Sequence, residues 1–230
     1  MLLAIDTSTA QIGLALYDGT SVPGEFVWQS GLHHTQELAP ALAELLRRVD
    51  IKISAVQALG VALGPGSFTS LRVGLAFVKG LALARHIPIV GIPTLDVVAA
   101  AVPLPDPSAE AESPPHLAAL VRAGRGRLAL GWYVPGEGGW RAEGSPTVTT
   151  ANDLAEQIHK PVIVCGEMSA EERQRLARKF KNVTLTSPVM CVRRPGILAE
   201  LAWQKWQAGS TDPAASLTPI YLHIAGGLPA

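Results

Sequence analysis

Residues 62–76 read Ala62-Leu63-Gly64-Pro65-Gly66-Ser67-Phe68-Thr69-Ser70-Leu71-Arg72-Val73-Gly74-Leu75-Ala76 and join an apolar run to a helical pattern. Glycine tolerates positive φ and proline fixes its own φ, so Gly64-Pro65-Gly66 predicts a tight turn from strand to helix. Ser67 or Thr69 can cap that helix. Two interpretations of the turn stay open: it packs the helix onto a sheet, or the helix N-terminus holds a phosphate.

Around this turn, the first hundred residues predict the order β-β-β-α-β-α-β-α. Alternating and continuous apolar runs indicate the strands, and longer periodic runs indicate the helices. The predicted strands cover 2–5, 12–17, 25–29, 56–63 and 87–92. The predicted helices run from an N-cap at Thr35 to about Val49, from Thr69 to Arg85, and from a cap at Thr94 to about Val102.

A proline-rich segment at 103–115 separates two halves with the same element order. Its composition is typical of a linker. The sequence therefore predicts an N-terminal lobe at 1–102 and a C-terminal lobe at 116–230, whose last residues pack back on the first lobe. In the second lobe we expect strands at 116–121, 128–134, 139–149, 161–165 and 183–186, and helices at 151–159, 170–180 and 196–207.

Composition indicates an ordered globular protein. Of the 230 residues, 48% are hydrophobic and 17% are charged, and 19 basic residues balance 19 acidic ones. That balance argues against a free-standing nucleic-acid-binding module. The two cysteines offer neither a disulfide framework nor the spacing of a metal site. No apolar run approaches the roughly 18 residues of a spanning helix. An acid at position 6 comes too early for a signal peptide, so we expect a cytoplasmic protein without a membrane partner.

The duplicated order resembles the actin, hexokinase and Hsp70 (ASKHA) group, which has a duplicated ribonuclease H-like α/β fold with two lobes. The phosphate-binding loop of that group follows the first strand, where this chain has Asp6-Thr7-Ser8-Thr9. Backbone N–H groups of such a loop can hold phosphate oxygens, and the carboxylate can hold a cation. A simple turn is the alternative. The candidate residues of a vestigial nucleotide or phosphate loop are Asp6, Thr7, Ser8, Gly64 and Gly66.

The glycine-rich segment, together with Ala4-Ile5-Asp6-Thr7-Ser8-Thr9 and Pro219-Ile220-Tyr221-Leu222, resembles the TsaB (YeaZ) family. The resemblance implies a non-catalytic scaffold or dimerisation subunit that supports a TsaD-type catalytic paralogue. The complex transfers a threonylcarbamoyl group to N6 of an adenosine in tRNA, which makes threonylcarbamoyladenosine (t6A). A TsaE-type ATPase is implied in the full complex, with tRNA as substrate of that complex. We expect no tightly bound cofactor, and ATP or ADP with Mg²⁺ only weakly in the assembly.

Two departures bear on catalysis, and a third is a small change in the glycine-rich turn. TsaD has a His-x-x-x-His metal pair, and Thr94 and Val98 stand at the matching positions, so we expect no catalytic residues and no metal. Arg122 stands where the family often has an aspartate, and Ser70 replaces a glycine. The alternative functions are a free-standing ATP-dependent phosphotransferase, which needs acids on both lobes, and a glycoprotease-like metallopeptidase, which needs metal ligands. An RNA-binding module is the weakest candidate.

The helices at 35–49 and 69–85 are apolar over a wider arc than a one-sided surface helix needs. The family resemblance implies that TsaD docks on them, and in isolation the same surface could form a homodimer. The alternative is that the chain's own C-terminal segment covers them. The expected interface residues are Leu38, Leu42, Leu46, Gly74, Leu75, Val78 and Ala82.

Two histidines and five arginines are expected to be solvated. His33 and His34 lie before a helix without a partner at ligand spacing. Five arginines of the second half could form a modest basic patch toward RNA phosphates, although a solvated face is the more common outcome: Arg122, Arg125, Arg127, Arg193 and Arg194.

Overall fold

The computed structural model describes residues 1–31, 33–106, 114–124, 126–179 and 181–222. They fold into two compact units. The first unit comprises Met1–Val97 and Arg193–Ile220. The second comprises Val98–Val192 together with Tyr221 and Leu222. Each unit contains one five-stranded mixed sheet.

The sheet of the first unit is formed by β1 (Leu2–Asp6), β2 (Gln11–Tyr17), β3 (Gly24–Gln29), β4 (Ala58–Ala62) and β5 (Ile89–Ile92). Its order is β3-β2-β1-β4-β5. β2 pairs antiparallel with β1 and β3, whereas β4 pairs parallel with β1 and β5. The helices along the chain are α1 (His34–Arg48), α2 (Phe68–Arg85), α3 (Thr94–Ala100), α4 (Ala151–Gln157), α5 (Ala170–Ala177) and α6 (Pro195–Gln207).

Strand alternation gives the first sheet two different buried faces. Leu3 and Ile5 belong to a core of large residues that includes Leu38 and Leu45 of α1 and Val78 of α2. The opposite face carries small residues, which lets α6 approach closely. A Cβ added at Gly60 of β4 would lie 2.8 Å from Cβ of Ala202 in α6. The core of this face contains Leu2, Ala4, Ala15, Ala58, Ala62, Val90, Leu198, Ala199 and Ala202.

The second sheet repeats the topology of the first. It is formed by β6 (His116–Arg122), β7 (Leu128–Gly136), β8 (Gly139–Thr149), β9 (Val162–Gly166) and β10 (Val183–Leu185). Its order is β10-β9-β6-β7-β8, with β6 at the centre as β1 is in the first sheet. β6 pairs antiparallel with β7 and parallel with β9. The predicted duplicated ribonuclease H-like α/β fold is therefore confirmed.

Two local predictions are wrong. α1 begins at His34 rather than after Thr35, and its N-cap, His33, makes no side-chain cap bond. α6 was expected in the C-terminal lobe with residues 116–230, but it belongs to the first unit. The reason is that its apolar side chains complete the small-residue core against β1 and β4. Of the expected linker, residues 107–113 lie outside the described part of the chain.

Other local predictions are confirmed. Ser67 caps α2 by accepting a hydrogen bond from Ser70 N–H, and Thr150 caps α4 by accepting one from Asp153 N–H. In the described part of the chain, no helix combines the length and apolar character needed to cross a membrane.

Candidate functional site

The loop after β1 places its acid in a buried, hydrogen-bonded position. Asp6 is 1% exposed. Its Oδ1 accepts Ser8 N–H at 2.7 Å. Its Oδ2 accepts Nε–H of Arg193 at 2.8 Å. Both oxygens of the expected cation-binding carboxylate are thus bonded within the chain.

Arg193 lies just before α6 and is 1% exposed. Its Nη2 donates to Thr9 Oγ1 at 3.0 Å, and its backbone carbonyl accepts Nε2–H of Gln11 at 2.8 Å. The expectation that Arg193 belongs to a solvated basic face is therefore wrong. A buried guanidinium needs a paired charge and several acceptors, and the loop after β1 supplies both. The chain's own cation neutralises Asp6.

The glycine-rich turn packs directly on this loop. Ser67 N–H donates to the carbonyl of Ser8 at 2.7 Å. A Cβ added at Gly66 would lie 2.1 Å from that same carbonyl oxygen. Gly64 has φ +96°, a conformation that glycine adopts without strain. The sequence left packing and phosphate binding open for this turn, and its contacts favour packing.

Thr7 and Gly74 continue the contact along α2. Thr7 Oγ1 donates to the carbonyl of Ser70 at 2.8 Å. A Cβ at Gly74 would lie 2.1 Å from Thr7 Oγ1, so any side chain there would displace the loop. Gly74 was expected at a partner interface, but it is buried against the chain's own loop.

Thr94 ties the two loops together. Its Oγ1 lies 2.7 Å from Ser8 Oγ and accepts Gly64 N–H at 2.9 Å, and its side chain is fully buried. The resemblance predicts a TsaD histidine at the position of Thr94, and Thr94 forms a hydrogen-bonded junction between the two loops. Among the described residues, no three His, Cys, Asp or Glu side chains lie close enough together to hold a metal ion.

The five candidate loop residues are therefore neighbours, as the sequence predicts, in a tightly packed junction. Sequence reasoning missed two members. Arg193 is 187 positions from Asp6, and no local pattern indicates their pairing. His34 was expected to be solvated, but it is 3% exposed and its Nε2 lies 2.8 Å from the carbonyl of Thr9.

Six of the seven expected interface residues are buried in the first unit itself. Leu38 and Leu42 of α1 and Leu75, Val78 and Ala82 of α2 belong to the core against the sheet. Gly74 contacts Thr7, and Leu46 is half-buried. These six residues pack within the chain's own unit because the apolar stripe at helical spacing faces its sheet, and docking through them stays a prediction.

A different set of residues forms the exposed surface of the same two helices. Phe68 is 53% exposed and Leu83 is 76% exposed. The Arg72 guanidinium lies 3.7 Å from the centre of the Phe68 ring. Between α1 and α2 lies a groove of about 480 Å³. We call this groove, together with the exposed residues of α2 beside it, the α1–α2 surface. The residues that line the groove are His34, Thr35, Leu38, Ala39, Phe68, Thr69, Arg72, Val73, Ala76 and Phe77.

Known proteins resemble this chain in sequence and in fold. The family model described as "TsaD: tRNA N6-adenosine threonylcarbamoyltransferase" matches residues 29–142. The tRNA threonylcarbamoyladenosine biosynthesis protein TsaB of Escherichia coli (strain K12) is 35% identical over 98 residues, covering 43% of this chain and 42% of that protein. This match thus spans less than half of the relative's length.

Two further comparisons extend over nearly the whole chain. The protein of the same name from Haemophilus influenzae is 25% identical over 228 residues, covering 96% of this chain and 92% of the relative. The solved structure of YeaZ from Pseudomonas aeruginosa has a TM-score of 0.74 and 26% identity, and it covers 96% of this chain and 99% of that chain. These comparisons support membership of the TsaB (YeaZ) family.

Two departures from the TsaB pattern are accommodated locally. Arg122, the last residue of β6, pairs with Glu172 of α5 through Nη2 at 3.1 Å. Its backbone N–H donates to Oε2 of Glu167 at 3.2 Å. Ser70 is buried, and its hydroxyl donates to Ser67 Oγ at 3.0 Å, which adds a contact to the start of α2.

Proposed function

We propose that this chain is the non-catalytic scaffold subunit of a complex that makes t6A on tRNA in the cytoplasm, and that it supports a TsaD-type catalytic paralogue. Family membership supports the pathway. The observation that carries the scaffold role is the α1–α2 surface, where Leu83 and Phe68 remain exposed after the core is complete. Exposed apolar patches of this kind mark interaction sites.

The proposed occupant is a TsaD-type chain. The TsaD family model matches residues 29–142, a range that includes α1 and α2, so a TsaD-type chain carries related helices at the same place. Two related chains can then pair through equivalent surfaces, as in an isologous dimer. The same logic predicts that, without its paralogue, this chain self-associates through the α1–α2 surface.

The internal pairing of Asp6 supports a non-catalytic role. A phosphotransferase needs carboxylates free to hold Mg²⁺ and the transferring phosphoryl group. Here Asp6 is bonded to Arg193 and Ser8, and the strand-end residue of the second sheet is Arg122. We therefore propose that the chain holds no nucleotide tightly, and that ATP and a TsaE-type ATPase act in the assembled complex.

The test is co-purification with the tagged TsaD-type paralogue of the same organism. Ala76→Glu with Leu83→Glu places two charges on exposed positions of α2, so the fold should persist while pairing is lost. Ala177→Glu, on exposed helix α5 of the second unit, is the matched control and should bind as the unaltered chain does. Circular dichroism verifies that all variants are folded. Undiminished binding by the folded double variant would place the docking surface elsewhere.

Activity gives a second measurement. Threonylcarbamoyl transfer to tRNA by the TsaD-type and TsaE-type proteins with ATP should require this chain and should be lost with the double variant. Calorimetry of the isolated chain with ATP and Mg²⁺ should give no saturable binding at micromolar ligand. Tight binding with steady hydrolysis would instead favour the phosphotransferase function.

A further inference from the structure

The two cysteines of the chain lie beside each other in the second unit. Cys165 is buried near the end of β9, and Cys191 is half-buried in the segment 187–192 that follows β10. The Cys165 sulfur lies 3.5 Å from the carbonyl oxygen of Met190. It also lies within hydrogen-bonding distance of Cys191. Neither cysteine takes part in the proposed scaffold role.

The surroundings of Cys191 stabilise its thiolate form. Nη1 of Arg173 donates to its sulfur at 3.6 Å, and Thr186 Oγ1 lies 3.1 Å from it. Arg173 is held in place because its Nη2 donates to the carbonyl of Thr186 at 2.6 Å. A fixed cation and several hydrogen-bond donors around one sulfur are the surroundings of a reactive cysteine.

The two thiols differ in acidity. The hydrogen bond from Cys165, helped by hydrogen bonds with Thr186, Gly166 N–H and Arg173, lowers the pKa of Cys191 well below that of an ordinary thiol. The same bond and burial raise the pKa of Cys165. The acidities of the two thiols therefore differ in the direction that suits Cys191 as the attacking cysteine and Cys165 as the resolving cysteine.

Access from solvent also favours Cys191 as the attacking cysteine and Cys165 as the resolving cysteine. Val189 is 80% exposed and Met190 is 40% exposed, so a small oxidant arriving from solvent meets the segment that carries Cys191. Cys165 is fully buried behind it.

We propose that Cys191 and Cys165 form a reversible redox site, in which a hydroperoxide oxidises Cys191 and Cys165 then closes an intramolecular disulfide. In the first step the Cys191 thiolate attacks one peroxide oxygen. An S–O bond forms, the O–O bond breaks, and the departing oxygen takes a proton from water, which leaves Cys191 as sulfenic acid. In the second step the Cys165 sulfur attacks Cys191 sulfur. The S–S bond forms, the S–O bond breaks, and the hydroxyl leaves as water with the Cys165 proton.

Over both steps the cysteine pair loses two electrons and the hydroperoxide gains them. A dithiol reductant returns the pair to the thiol form by exchange. A disulfide brings the two sulfurs to about 2.05 Å, and the segment 187–192, which exposes Val189 and Met190, is the part that would move to close it. This inference is independent of the proposed function.

The first experiment uses the unaltered full chain. The reduced protein is treated with hydrogen peroxide, remaining thiols are alkylated, and intact mass and peptide mapping follow. The expected product is a monomer lacking two hydrogens, with Cys165 linked to Cys191, that dithiothreitol restores. Oxidation that stops at sulfinic acid, disulfide-linked dimers, or unmodified thiols would each overturn the proposal.

Variants separate the roles of the two sulfurs. In Cys165→Ser, peroxide should leave Cys191 as a sulfenic acid that a 1,3-dione reagent labels. In Cys191→Ser, Cys165 should remain unlabelled. Labelling of Cys165 instead of Cys191 would reverse the roles of the two cysteines and overturn the proposal.

The pH dependence of alkylation tests the thiolate without peroxide. The rate of Cys191 alkylation should reach half its maximum at least about two pH units below the value of about 8.5 for a free thiol. Arg173→Gln should move that midpoint upward, whereas Arg175→Gln, an exposed arginine on the same helix, should not. A midpoint at the ordinary value in the unaltered chain would contradict the proposal.

Discussion

The loops after the central strands of the two sheets occupy equivalent positions. The charged residue at the strand end is an acid in the first loop and a base in the second. Asp6 ends β1 and Arg122 ends β6, and each strand is central in its sheet. The acid of the first loop pairs with Arg193, and the base of the second pairs with Glu172. The first pair is buried, whereas the Arg122 side chain is 43% exposed.

The comparison shows that a shared topology fixes where a strand-end side chain lies without fixing its chemistry. It also separates two kinds of ion pair. Breaking a buried pair leaves a charge without water or partner, whereas breaking an exposed pair returns both charges to solvent. The effects of substitution should therefore differ strongly between the two loops.

The largest effect is expected at Arg193. Arg193→Ala leaves the buried Asp6 carboxyl without its guanidinium, and should lower the free energy of unfolding by about 3–5 kcal/mol. Urea denaturation followed by circular dichroism measures this. Asp6→Asn with Arg193→Gln removes both charges and should recover a large part of the loss. A loss below about 1 kcal/mol in Arg193→Ala would mean that water reaches the pair.

The element order could be predicted because its signals are local. Apolar periodicity and the turn at Gly64-Pro65-Gly66 act over a few residues, and the caps at Ser67 and Thr150 act over three. The Asp6–Arg193 pair could not be predicted, since its members are far apart in the chain. The prediction that α6 belongs to the C-terminal lobe was wrong for the same reason, because the apolar pattern of a helix does not indicate which sheet the helix will pack on.

The inward packing of the expected docking residues has a different physical reason. Leu38 and Leu42 recur at helical spacing, and such a stripe marks the face of a helix that is buried, whether by its own chain or by a partner. The sequence therefore identified the two helices without distinguishing their inner and outer faces. The exposure of Ala76 and Leu83 makes that distinction, and it defines the substitutions that test pairing.

An intermediate effect is expected where α2 contacts the first loop. Gly74→Ala places a methyl group 2.1 Å from Thr7 Oγ1, so the loop must shift, and the free energy of unfolding should fall by about 1–3 kcal/mol. Gly80→Ala on the same helix is the matched control. Its added Cβ meets no atom within 4 Å, so higher helix propensity should stabilise the protein by up to about 1 kcal/mol. Equal effects at both positions would contradict a packed junction.

The smallest effect is expected at the loop after β6. The Arg122–Glu172 pair is exposed on the arginine side, so its coupling energy in a double-mutant cycle should be about 0.2–1 kcal/mol and should fall with added salt. The cycle uses Arg122→Gln and Glu172→Gln, because Glu172 also accepts Ser169 N–H at the start of α5 and a glutamine oxygen keeps that acceptor. Urea denaturation of the four proteins at low and high salt gives the coupling at each ionic strength. A coupling of several kcal/mol that salt does not weaken would make the second pair equivalent to the first, and exposure would then not be what distinguishes the two loops.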